Sequence, residues 1–288
     1  MDVIRHADPD AFLIAVAPMA ARGEASASFF TGSAYSLKRA PPRETDRIYL
    51  ATFRTGEGFG AAMQRDDGPV LIGESDVAAA RAFAADLARD WPQLQGVTGA
   101  RAGCEAFARR WRELTGRAHV LRVCMRQHML TAVNEVPTAP GRARVAVADD
   151  VEWLIDRQIA FIVEVGIPDP PERIRGFMPQ RVARGDFWIW EDNGRVAYAG
   201  FNDAAPYFAR IAPVYTLPEG RGRGYATTLV ALISRELLAR GKHKLFLTTD
   251  VANPTANAIY ARIGFRPEND DFGFDFVAPD AGAAIGTA

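Results

Sequence analysis

The stretch FWIWEDNGRVAYAGFN, residues 187 to 202, constrains the fold more than any other. Two strand-forming runs are joined by Asn193 and Gly194, a pair that tolerates the positive φ of a tight hairpin turn, so the two runs must be antiparallel neighbours. A third apolar run, Tyr207 to Tyr215, adds a strand. After the glycine-rich LPEGRGRGYATTL, the apolar residues Ala226, Leu229, Val230, Ile233 and Leu237 recur at helical spacing as far as Gly241. The strand KLFLTTD, the helix PTANAIYARI and strands at GFRP and FGFDFV follow. Two helices, Asp149 to Val163 and Pro171 to Arg184, precede the hairpin. The order is helix, helix, three antiparallel strands, helix, strand, helix, strand. It predicts an α/β fold with a mixed, mostly antiparallel sheet flanked by helices.

The first half of the chain runs through similar elements. Helical DAFLIAVAPMAA precedes the strands RIYLATF, FGAAMQR and PVLIG, the helix SDVAAARAFAADLARD, a short GVTGA, the helix GCEAFARRWREL and the strand AHVLRVCMRQHML. The shared order predicts an internal duplication. The 288 residues suit two domains, and Val136 to Gly141, VPTAPG, reads as the linker. The expected domains are residues 1–138 and 139–288. Where the second half has LPEGRGRGYA the first has only IGESD, so the chemistry is expected in the second domain.

An apolar share of 48% and a charged share of 24% are ordinary for a globular chain, and no run approaches the roughly 18 apolar residues of a membrane span. The opening MDVIRHADPDAFL lacks the layout of a secretory leader, and Cys104 and Cys124 form no bridge framework. A soluble protein of the reducing cytoplasm is expected. A net charge of -1 gives no basis for general nucleic-acid binding. His6, His119, His128 and His243 show no metal-ligand spacing with the cysteines, so no metal site is expected.

The loop before the second domain's long helix has a specific physical capacity. Gly220, Gly222 and Gly224 allow turns closed to other residues and bring bare amides to a helix N-terminus, where the dipole is positive. That is an anion cradle, and Arg221 and Arg223 add forked donors suited to a pyrophosphate. A plain helix cap with solvated arginines is the alternative reading. A P-loop would need Lys then Ser or Thr where Tyr225 stands, and neither register of the glycines completes a dinucleotide fingerprint. Pro213 lies inside the preceding strand, where a residue without an N–H marks an edge or a bulge. Arg221, Gly224 and Ala226, between a strand and an amphipathic helix, resemble the acetyl-coenzyme A signature of the GNAT acetyltransferase superfamily.

A second motif makes the resemblance specific. In NPTANAIYARIGF, residues 253 to 265, Asn253, Ala256, Tyr260, Gly264 and Phe265 stand in the register of the other GNAT hallmark. The likeness covers residues 141 to 277 well and the whole chain more faintly, in the manner of tandem GNAT proteins with a degenerate first copy. It implies two GNAT-like domains and the cofactor acetyl-CoA. The pantetheine arm would lie along Val214, Tyr215 and Thr216. The pyrophosphate would lie on Arg221, Gly222, Arg223, Gly224, Tyr225 and Ala226, with Asn253 and Asn257 also at the cofactor. Tyr260 would protonate the departing thiolate while a primary amine, on a small molecule or peptide, attacks directly. Asp250 is the first candidate base, ahead of Asp203 and Glu164. Trp188 and Trp190 read as core residues or as part of the acceptor pocket. A non-catalytic acyl-CoA sensor or interaction module is the alternative from another class, and a structural domain without cofactor a third. The acceptor itself is not written in the sequence.

Overall fold

The computed structural model describes residues 3–21, 24–40, 46–55, 58–65, 68–73, 75–166 and 170–278. By packing, the chain separates into two units. One takes the described parts of residues 1–127, 248–252 and 267–288, and the other residues 128–247 and 253–266. The units are therefore not consecutive halves of the chain.

The first unit starts with β1 (Val3–Arg5), α1 (Pro9–Val16), α2 (Glu24–Arg39), β2 (Ile48–Thr55), β3 (Gly58–Arg65) and β4 (Val70–Gly73). It continues through α3 (Val77–Asp90), β5 (Gly96–Gly99), α4 (Arg101–Thr115) and β6 (Ala118–Leu130). β2, β3 and β4 are antiparallel neighbours, and α3 carries the chain over to β5, which lies parallel to β4. Sequence periodicity finds α1 but misses α2, whose inward face of Ala27, Phe30 and Ala34 consists mostly of small residues with little apolar contrast.

The second unit contains β7 (Arg142–Val145), α5 (Val151–Val165), α6 (Pro171–Ala183), β8 (Phe187–Glu191), β9 (Arg195–Asn202) and β10 (Phe208–Thr216). Then come α7 (Tyr225–Ala239), β11 (Lys244–Asp250) and α8 (Pro254–Ile263), and the chain ends its regular structure with β12 (Arg266–Val277). β7 to β10 form an antiparallel run, and β11 joins β10 in parallel. Asn193 and Gly194 take the positive φ values of 54° and 135° that the hairpin turn requires. Alternation along β8 and β9 splits the core. Phe187, Ile189 and Tyr198 pack with Leu154, Ile155 and Met178 of α5 and α6. Trp190, Ala197 and Ala199 pack with Leu229, Ile233 and Ile263 of α7 and α8.

Two regions differ from the sequence expectation. The segment at Val136 to Gly141 is fastened to the second unit: the Ala139 N–H donates to Thr228 Oγ1 at 2.9 Å and Trp190 Nε1 donates to the Pro140 carbonyl at 2.8 Å. GFRP and FGFDFV are one strand, β12, which from residue 267 packs with the first unit. There β12 pairs antiparallel with β5, from Phe272 opposite Gly99 to Asp275 opposite Gly96. The approach is close enough that a Cβ on Gly96 would stand 2.2 Å from the Phe274 carbonyl oxygen, which explains the glycine. Phe276 stacks on Trp111 and Phe107 at centroid separations of 5.2 and 6.1 Å.

Asp150, at the start of α5, pins β7 to β9. Its carboxylate receives Arg144 at 2.5 and 2.9 Å, Arg195 at 3.1 Å and the Val147 N–H at 2.9 Å. These donors hold its pKa down at about 2.

Candidate cofactor site

The site of the second unit is built on a defect in its sheet. β10 pairs with β11 only over Phe208 to Arg210, opposite Lys244 to Phe246. The register against β9 then shifts between Ile211 and Val214, around Pro213, which supplies no N–H to either ladder. Beyond the bulge Val214, Tyr215 and Thr216 stay paired with Ala199, Tyr198 and Ala197 of β9. On its other side β10 has no ladder to β11 past this point among the described residues. A strand edge with free backbone groups results.

At the end of that edge the chain makes a 3-10 turn, Pro218–Gly220, and enters α7 through Gly222 and Gly224, with φ of +80° and +81°. Gly224 occupies the N-cap, and no side chain accepts a hydrogen bond from the first turn. The amides at Tyr225 and Ala226 thus carry the positive end of the helix without a side-chain cap. A Cβ on Gly222 would meet nothing within 4 Å, so the loop faces open space.

The two arginines of the loop differ. Arg221 donates to Glu164 at 2.7 Å and to the Thr216 carbonyl at 3.2 Å, with its guanidinium 5.7 Å from the Tyr215 ring. Glu164 raises the Arg221 pKa through this hydrogen bond. Arg223 is exposed and has no partner among the described residues. The Tyr225 side chain is a core group: it packs by Trp190 and its hydroxyl donates to Asp192. Only its backbone N–H is left for an anion.

α8 supplies the second motif. Asn253 is its N-cap, the side-chain oxygen accepting from the Ala256 N–H at 3.0 Å, and Asn257 Nδ2 donates to the Asn253 carbonyl at 2.8 Å. One face of the helix buries Tyr260 between His128 and Phe265, with ring centroids 6.4 and 6.0 Å away. Burial raises its pKa well above the usual tyrosine value, so the phenol holds its proton at neutral pH.

The three carboxylates proposed as bases fall in three settings. Glu164 is paired with Arg221. Asp203 lies in the β9–β10 connection, at the end of β10 remote from the glycine loop, beside Lys242, which donates to its backbone carbonyl at 2.8 Å. Asp250 ends β11, is counted with the first unit, and accepts from the Ala252 N–H at 2.8 Å. Trp190 is a core residue, whereas the Trp188 indole N–H is buried with no partner among the described residues. Sequence reasoning passed over Arg157 on α5. Its Nε is buried and unpartnered among the described residues, one helical turn before Phe161, whose ring meets Tyr215 edge-on at 6.0 Å. The only signal in the sequence was a charged residue amid the apolar run of α5.

Among the described residues no group of three or more His, Cys, Asp or Glu could hold a metal ion, and no helix is long and apolar enough to cross a membrane.

A parallel strand pair that parts at a bulge, beside a helix that starts on bare glycine amides, marks an α/β domain for a phosphate-bearing cofactor. Residues 152–265 match the model of the acetyltransferase (GNAT) family. Over those residues the chain carries a GNAT-type acetyltransferase domain, and acetyl-CoA is the cofactor of that acyltransferase class. Solved structures share the fold along nearly the whole chain. A GNAT acetyltransferase from Colwellia psychrerythraea is 13% identical, with a TM-score of 0.57 over 96% of this chain and 100% of its own. A Drosophila protein is 16% identical, with a TM-score of 0.65 over 96% and 99%. A tandem GNAT protein from the clavulanic acid biosynthesis pathway is 15% identical, with a TM-score of 0.57 over 96% and 98%. No curated protein matches the chain.

The residues present fit the cofactor. The uncapped amides of α7, Arg223 and the unpaired edge of β10 are the donors and acceptors that a pyrophosphate followed by an amide-bearing arm requires.

Proposed function

We propose that the protein is an N-acetyltransferase that acetylates a primary amine by direct attack, with its cofactor site and its candidate acid in the second unit. The observation that carries this reading is the pairing of an uncapped, glycine-started α7 with a buried, protonated Tyr260 in the same unit. Val214, Tyr215 and Thr216 offer backbone groups to the pantetheine arm. The amides of Gly222, Gly224, Tyr225 and Ala226, with Arg223, take the pyrophosphate. Arg221 braces the loop through Glu164 and Thr216 while keeping its charge beside the anion. Asn253 and Asn257 shape the start of α8 next to the arm. Bound acetyl-CoA supplies an acyl group activated as a thioester.

The Tyr260 hydroxyl carries a proton at neutral pH and is the group that would donate it to the leaving thiolate as the carbon–sulfur bond breaks. By its place in the chain, three residues before Asn253, Asp250 is the candidate acceptor for the proton of the incoming ammonium. Its carboxylate already accepts one backbone N–H, which fixes its orientation.

The test is a kinetic split. Replacing Tyr260 by Phe lowers kcat by about 100-fold, within the range of a positioned general acid, and leaves the coenzyme A Kd from calorimetry unchanged. A sensor would bind coenzyme A and release no thiol with any amine class. Absence of coenzyme A binding to the native chain would overturn the reading.

A further inference from the structure

The first unit holds a cavity of about 470 Å³, walled by α2, the end of β4, the start of α3, Ala100 and the start of β12. Its place in the topology matches that of the glycine loop. Each lies where the last strand of an antiparallel run passes through a helix to a parallel strand: β4, α3, β5 here, and β10, α7, β11 in the second unit. A volume of this size is that of a small-molecule site.

Its chemistry is the reverse of the loop's. Whereas α7 starts on bare amides beside Arg223, α3 starts on Asp76, whose carboxylate accepts from the Ala79 N–H at 2.7 Å and occupies the helix N-terminus. The opposite wall carries Glu268, Asp270 and Asp271 from β12. Arg126 neutralises Asp270 through two bonds of 2.7 and 2.8 Å. Asp271 is buried and is held by the amides of Gln127 at 2.8 Å and Asn269 at 3.0 Å. Glu268 is exposed at the rim with no cation partner among the described residues. The rest of the wall is mixed: Ser26, Ser75 and Asn269 are polar, and Phe29, Phe30, Leu71 and Ile72 supply an apolar patch. A phosphate-bearing cofactor would meet like charge here. A molecule with a cationic head and a short apolar body would find both halves matched.

We propose that this cavity binds a compact organic ammonium compound, its head toward Glu268 and Asp271 and its body against Phe29 and Phe30. The site stands apart from the acetyl-transfer reading, which rests on the second unit.

Calorimetry on the full chain tests it with phenethylammonium as probe and phenethyl alcohol as the neutral molecule of matching shape. Phenethylammonium should bind saturably, and the alcohol at least about tenfold more weakly, a difference of about 1.4 kcal/mol. Glu268→Gln, at a solvent-exposed position, should weaken the amine about fivefold, the scale of one exposed charge contact. Ser26→Trp should fill the cavity and abolish binding, while Arg223→Ala leaves it unchanged. No saturable heat, equal affinity for amine and alcohol, or affinity untouched by both Glu268→Gln and Ser26→Trp would overturn the proposal. Coenzyme A titrated into the same samples reports the second unit separately, so failure of one site is distinguished from failure of the other.

Discussion

Arg221 and Arg223 look equivalent in the sequence, and the structure separates them by a contact between residues far apart in the chain. Glu164 sits 57 positions before Arg221 and fixes its guanidinium, a pairing that no local pattern announces. Arg223→Ala should raise the coenzyme A Kd by about tenfold, the worth of one charge-assisted contact, with the melting temperature unchanged. Arg221→Ala should weaken coenzyme A and also lower the melting temperature, because it frees Glu164 and uncovers Tyr215. Tyr260 stands out in the sequence by its motif, but the His128 ring that lies beside it comes from far along the chain, and no nearby sequence connects the two. Asp150 shows the same divide. The sequence marks it as an acidic helix start, whereas its partners Arg144 and Arg195 come from two strands. Its pKa falls from 3.8 to about 2 on folding. The resulting stabilisation, about 2 kcal/mol, is fully present above the unfolded value and lost as pH drops from near 4 toward 2. Asp150→Asn should lower stability at neutral pH and flatten the acid limb over that window, as read from urea midpoints at several pH values.

Elements with strong local signals were legible, and those defined by long-range packing were not. The Asn193–Gly194 hairpin and the irregularity at Pro213 follow from the backbone chemistry of single residues, and both are present. α2 was hidden because alanines and serines carry little hydrophobic contrast, so its inward face shows only once Phe30 and Met19 are seen in one core. The glycine loop was read for its capacity, and the φ of +81° at Gly224 adds a quantity to that reading. Gly224→Ala forces a Cβ into left-handed backbone at a cost of about 1–2 kcal/mol. Relief of that strain would turn the first amides of α7. The expected result is a lower melting temperature together with a weaker coenzyme A Kd, whereas a loop serving only as a helix cap would show the first effect alone.

For the whole molecule, the repeated element order was visible from one end of the chain to the other. What the order could not reveal is the assignment of residues 267–277 to the first unit. Pairing partners of a strand are not encoded in its own alternation, and β12 would suit any open edge with an apolar side. Removing residues 267–277 should therefore damage the unit at the other end of the chain. It strips β5 of a neighbour and takes Phe276 out of the stack with Trp111 and Phe107. The loss of such an aromatic alone costs about 3–5 kcal/mol. Near-UV circular dichroism and limited proteolysis should show residues 1–127 opened in the truncated chain. The core around α7 and α8, which draws no residue from 267–277, should stay protected. Retention of a protected first unit would refute this assignment.

The position of β12 also sets a timetable for biosynthesis. A domain made first would ordinarily be able to fold while its successor is still being translated. Here residues 1–127 are translated before residues 267–277, and must wait for them before their sheet has the strand beside β5. During that interval the edge of β5 and the indole of Trp111 lack their partner strand, so an exposed strand edge and an uncovered aromatic persist until translation has passed β12.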